Sequence, residues 1–132
     1  MPILERVKFA EKGSIYIYKK NTEEKSLLEE LKDTSETSFK RMNQLIQVMC
    51  ENGKITNSQH YHQFKEYIWE FKPSGYRVFN FKLPGRSPLA LVLLLFFKKC
   101  PPKECMQNYK SAEKLRKQIL SEIVNNTLEE RN

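Results

Sequence analysis

The residues with chemistry to offer gather in one stretch, Tyr67 to Lys99, and just upstream of it. Lys72, Arg77, Lys98 and Lys99 fall near the ends of runs that read as strands, and Tyr76 stands beside Arg77. A guanidinium is planar and always charged, so Arg77 can grip two oxygens of one phosphate, with ammonium groups acting as point charges beside it. His60 and His62 offer imidazoles, the side-chain type most often used for proton transfer. Lys98 and Lys99 are consecutive, so in a regular strand they point to opposite faces and at most one lines a site. The same basic groups also fit a plainer role, as solvated strand residues that blunt sheet pairing. Cys100 and Cys105 with the two histidines do not make a zinc signature, because only one C-x4-C pair is present and prolines interrupt it. Gly13, Gly53, Gly75 and Gly85 stand alone as turn residues, so there is no phosphate-cradling loop. No metal or other cofactor is expected.

Three consecutive antiparallel strands must position these groups. Tyr67 to Lys72 alternates Trp69 and Phe71 with more polar neighbours and reads as the first. Pro73-Ser74-Gly75 reverses the chain into Tyr76 to Leu83, and Pro84 to Pro88 breaks it again before Leu89 to Phe97. That last run is uninterruptedly apolar, which places it inside the sheet with both faces covered. Upstream, Ser14 to Lys19 alternates as an opening strand, and Ile3 to Phe9 is either its hairpin partner or an irregular arm. Asn21 with Glu24 predicts a helix N-terminus, giving a short helix to about Lys32 with Leu27, Leu28 and Leu31 as its stripe. Asp33 with Glu36 predicts a second start, and Phe39, Met42, Leu45, Ile46, Met49 and Cys50 recur at helical spacing until Gly53. Ile55 to Lys65 reads as a polar connector. Beyond Pro101-Pro102, Met106 to Ile123 keeps a helical stripe, and Asn125 to Asn132 is expected to fray. The expected fold is α+β: a small, mainly antiparallel sheet of one N-terminal strand plus three consecutive strands, an N-terminal helical hairpin across one face, and a C-terminal helix.

With 132 residues, a single domain spanning 1–132 suffices to bury a core. Lysine and arginine total 23 against 16 acidic residues, a net charge of +7 that favours RNA, DNA or an anionic membrane surface. The longest apolar run is too short to span a bilayer and the N-terminus lacks a signal-peptide core, so a soluble cytoplasmic protein is expected. Three cysteines, Cys50, Cys100 and Cys105, suit a reducing compartment.

Two segments, Ile68 to Phe81 and Phe96 to Leu120, resemble the RelE/ParE toxin superfamily, and most of all its HigB-like, phage-derived branch. The residues that carry the likeness are Trp69-Glu70-Phe71-Lys72, Tyr76-Arg77-Val78, Phe97-Lys98-Lys99, Pro101-Pro102 and Ala112-Glu113, in that order. Lys72 stands where the family usually has arginine, Cys100-Pro101-Pro102 replaces a threonine-rich turn, and the Pro84 to Pro88 loop is longer than usual. The resemblance implies the toxin of a type II toxin–antitoxin pair. Such a toxin is a ribosome-dependent endoribonuclease that cuts mRNA and is restrained by an antitoxin, here expected to be a helix-turn-helix protein. It implies metal-independent attack of a ribose 2′-OH on the adjacent phosphate. Arg77 would then be the phosphate clamp, Lys98 or Lys99 a second cation, and Lys72 a charge stabiliser or base. His60, His62 and Tyr76 would transfer protons or stack on RNA bases. The other branch of the superfamily implies a non-enzymatic inhibitor of DNA gyrase, and a third reading is an inactive binding module of the same fold.

Overall fold

The computed structural model describes residues 1–132. Strands β1 (Ile3–Ala10) and β2 (Gly13–Lys19) form an antiparallel hairpin, so the first stretch is a paired strand and not an arm. Asn21 does accept the N–H groups of Glu23 and Glu24, at 3.0 and 2.9 Å, but the chain makes only a turn there. The apolar stripe that helix packing requires begins at Leu27. Helix α1 (Leu27–Thr34) accordingly starts from Ser26, whose Oγ accepts the Glu29 N–H at 3.1 Å. Asp33 is no cap either; it pairs with Lys25, and Ser35 caps helix α2 (Glu36–Asn52) by accepting the Ser38 N–H at 3.2 Å. Gly53 ends α2 with φ 75°, a conformation that costs glycine nothing.

Strands β3 (Tyr61–Lys65), β4 (Ile68–Phe71), β5 (Tyr76–Lys82) and β6 (Leu89–Lys98) follow as an antiparallel series, then helix α3 (Pro102–Val124) and a short β7 (Glu129–Arg131). All seven strands join one sheet in the order β3-β4-β5-β6-β2-β1-β7. β6 runs parallel to β2 and β7 parallel to β1. The expected four-stranded, mainly antiparallel sheet with an N-terminal helical hairpin is therefore corrected to a seven-stranded mixed sheet with three helices distributed over both faces.

Each missed strand has a physical reason. β3, YHQFK, is an edge strand with a half-exposed polar face, so it carries no continuous apolar run. β7, EER, has no buried side chain at all. Its place comes from the backbone ladder with β1 and from Arg86, which donates to both Glu130 oxygens at 2.7 and 2.9 Å; the tail thus pairs instead of fraying.

Alternation along β6 builds two cores. Leu91 and Leu93 pack with Ile15, Ile17, Met42 and Met49 beneath α1 and α2. Ala90, Val92 and Leu94 pack with Phe79, Phe81, Tyr109 and Ile119 beneath α3. Phe71, Phe79 and Phe81 are fully buried, each contributing ~1.5–3 kcal/mol relative to exposure. No helix is long and apolar enough to cross a membrane.

Candidate functional site

Strand register decides which chemically able side chains meet. On β4, Trp69 and Phe71 turn toward α1 and α2, so Glu70 turns toward α3, the side where Ile68 joins the α3 core. His62 on β3 pairs directly with Glu70, and Glu70 pairs with Phe79 on β5. Arg77 lies two residues before Phe79 on the same face and opposite Phe97 of β6. Lys99, two residues past Phe97, continues that face, its N–H donating to the Gly75 carbonyl at 2.9 Å beyond the strand end. Lys72, two past Glu70, is held likewise by its N–H to the His60 carbonyl at 2.9 Å.

The result is a cleft of about 280 Å³ between the β3-β4-β5 end of the sheet and the start of α3. His62, Glu70, Lys72, Arg77 and Lys99 line it, with Cys100 and Cys105 in its wall and Phe64 and Met106 as apolar surface. The first turn of α3 lies at its edge through Pro102, so the positive end of that helix dipole adds to the three cations.

Glu70 is the electrostatic centre. It is 5% exposed, and its Oε1 lies 3.3 Å from His62 Nε2 and 3.9 Å from Arg77 Nε. Burial raises the Glu70 carboxyl above its ordinary value, and His62, Arg77 and Lys72, in that order, pull it back only in part. His62 Nδ1 lies 3.3 Å from the Ser58 carbonyl, which can only accept, so Nδ1 carries the hydrogen there and Nε2 faces Glu70. Arg77 is anchored by its backbone side, Nη1 donating to the carbonyls of Ser74 at 3.0 Å and Tyr76 at 2.8 Å. Neither bond uses Nη2, which is therefore available to a ligand.

Of the residues singled out by sequence, Arg77, Lys72, Lys99 and His62 share this cleft. Lys98 does not: it pairs with Tyr76, whose ring packs on Phe96 at 6.2 Å on the α1/α2 side. Tyr76 therefore faces away as well. His60 contributes its carbonyl, not a cleft-lining side chain. Glu70 was missed as a site residue, although a carboxylate flanked by Trp69 and Phe71, on the same face as Lys72, was a readable signal. Cys100 and Cys105, weighed in the sequence only as zinc ligands, meet because the loop after β6 turns back onto the first turns of α3. The described residues contain no group of three or more His, Cys, Asp or Glu arranged to hold a metal ion. Neither known protein families nor curated protein sequences contain a match to this chain.

Proposed function

We propose that this chain is the toxin of a type II toxin–antitoxin pair, a cytoplasmic, ribosome-dependent mRNA endoribonuclease of the RelE/HigB kind. The observation that carries the reading is the gathering of Arg77, Lys72 and Lys99 around the half-exposed His62 and the buried Glu70 it contacts, in one cleft. Three cations and a proton acceptor are what cleavage of RNA by its own 2′-OH needs. The His62–Glu70 pair takes the proton from the 2′-OH as that oxygen attacks the phosphorus. Arg77 and Lys72 hold the two oxygens that gain charge in the phosphorane. Lys99 stands to give the departing 5′-oxygen the proton with which it leaves as a hydroxyl. None of these steps calls for a metal, because the cations surround the phosphate directly. The ribosome supplies mRNA in an extended form, and a helix-turn-helix antitoxin is the expected restraint.

Translation of a defined mRNA in a purified system, with the cut sites mapped, tests the reading. The expected result is cutting at codon-spaced positions by the wild-type chain and cutting slowed by about 10²-fold or more in Arg77→Ala. Intact mRNA together with blocked supercoiling by DNA gyrase would assign the chain to the non-enzymatic branch. Intact mRNA with neither effect would leave an inactive binding module.

A further inference from the structure

The wall of the cleft holds a second chemistry. Cys100, in the loop that leaves β6, and Cys105, in the first turns of α3, bring their Sγ atoms to 2.7 Å. Both thiols are free. Cys105 Sγ also donates to the Cys100 carbonyl at 3.2 Å, and Asn108 Nδ2 approaches Cys100 Sγ at 3.9 Å from the next turn of the helix. The two sulfurs are thus already turned toward each other by the fold. Cys105 is buried and Cys100 half-buried, so the pair has one accessible and one protected member. Burial, with the neighbouring Cys100, raises the Cys105 thiol to about 11, and the half-buried Cys100 is the sulfur that an incoming disulfide reaches first. Beside them, Lys72, Arg77 and Lys99 face the same cleft, so a disulfide bearing carboxylates is drawn to the thiol and a cationic one is repelled.

We propose that Cys100 and Cys105 form a dithiol site in the cleft wall that anionic low-molecular-weight disulfides, of which oxidised glutathione is the type, convert to an intramolecular disulfide. Cys100 loses its proton to solvent and attacks one sulfur of glutathione disulfide. That S–S bond breaks, and one glutathione thiolate leaves and is protonated. Cys105 then loses its proton and attacks the Cys100 sulfur of the mixed disulfide, forming the Cys100–Cys105 bond and expelling the second glutathione thiolate. Two protein thiols are oxidised and one disulfide is reduced to two thiols. Cys50 takes no part: it is fully buried on the inward face of α2, and burial raises its thiol to about 11.

Incubating the folded wild-type chain with oxidised glutathione, and in parallel with the cationic disulfide cystamine, tests this. Mass spectrometry follows the product, and tryptic digestion without reductant locates it, since cleavage after Lys103 separates the two cysteines onto different peptides. The expected product has lost two hydrogens, joins the Cys100 and Cys105 peptides and leaves Cys50 as a thiol. Glutathione disulfide should react roughly tenfold faster than cystamine at low salt, with the gap closing as salt is added. Cys105→Ser should instead stop at the mixed disulfide on Cys100. A wild-type mixed disulfide that persists, equal rates with the two reagents at low salt, or modification of Cys50 as fast as Cys100 would each overturn the proposal. None of these readouts depends on RNA cleavage.

Discussion

Arg77 and Glu70 pull the same site in opposite directions, and their substitution should separate function from stability. Arg77 is anchored through Nη1 to two backbone carbonyls while Nη2 stays available, a geometry that an ammonium cannot copy. Arg77→Ala is expected to lower the cleavage rate by about 10²–10³-fold, the usual loss when one preorganised charge stabiliser is removed. Arg77→Lys should recover little of it, as a single-turnover assay on a fixed mRNA would show. Glu70 behaves differently. Its carboxyl keeps its proton to higher pH in the fold than in the unfolded chain, because burial outweighs the nearby cations. Between those two pKa values the folded chain binds the extra proton, so Glu70's contribution to stability is present below the unfolded value and is lost as pH rises through the folded one. Glu70→Gln escapes that loss. Thermal melts across a pH series should show the variant gaining on the wild type as pH rises, while its RNA cleavage falls.

At the scale of elements, the register of β5 and β6 decides which lysine matters. Arg77 pairs with Phe97 and Tyr76 with Lys98, which places Lys99 on the cleft face and Lys98 on the other. Lys99→Ala is therefore expected to weaken both cleavage and RNA binding, and Lys98→Ala to leave cleavage close to wild type in the same assay. Sequence alternation predicts that at most one of the two lines a site; the strand register, continued past the strand end by the bond from the Lys99 N–H to the Gly75 carbonyl, puts Lys99 in the cleft. The strands with strong apolar patterns, β2, β4, β5 and β6, were legible, as were the greasy stripes of all three helices. The first helix start was misread because Asn21 makes the same local hydrogen bonds in a turn as at a helix cap. β3 and β7 were hidden for a different reason. Edge strands satisfied by a backbone ladder on one side need no apolar run, and β7 is held by β1 and Arg86, residues far away in the chain.

Over the whole molecule, the sheet serves as a partition. α1 and α2 close one face and α3 the other, and the cleft opens where α3 begins, beside the β3 edge. A net charge of +7 favours polyanions over the surface as a whole, and the cleft on the α3 side sets three cations beside the buried Glu70 carboxyl. Three phosphate-directed groups, Lys72, Arg77 and Lys99, imply that log affinity for a single-stranded RNA falls against log salt with a slope of about −2 from the cleft alone. Arg77→Ala should reduce that slope by somewhat under one unit in a fluorescence-anisotropy titration. The central claim is that the cleft cuts RNA by turning the ribose 2′-OH on its own phosphate. It is tested most directly by placing a single 2′-deoxynucleotide on the 5′ side of a mapped cut in an otherwise unchanged mRNA and examining the fragment ends during translation. The account predicts 2′,3′-cyclic phosphate and 5′-hydroxyl ends on the unmodified message and loss of that one cut on the modified one. Undiminished cutting at the deoxy position would contradict it.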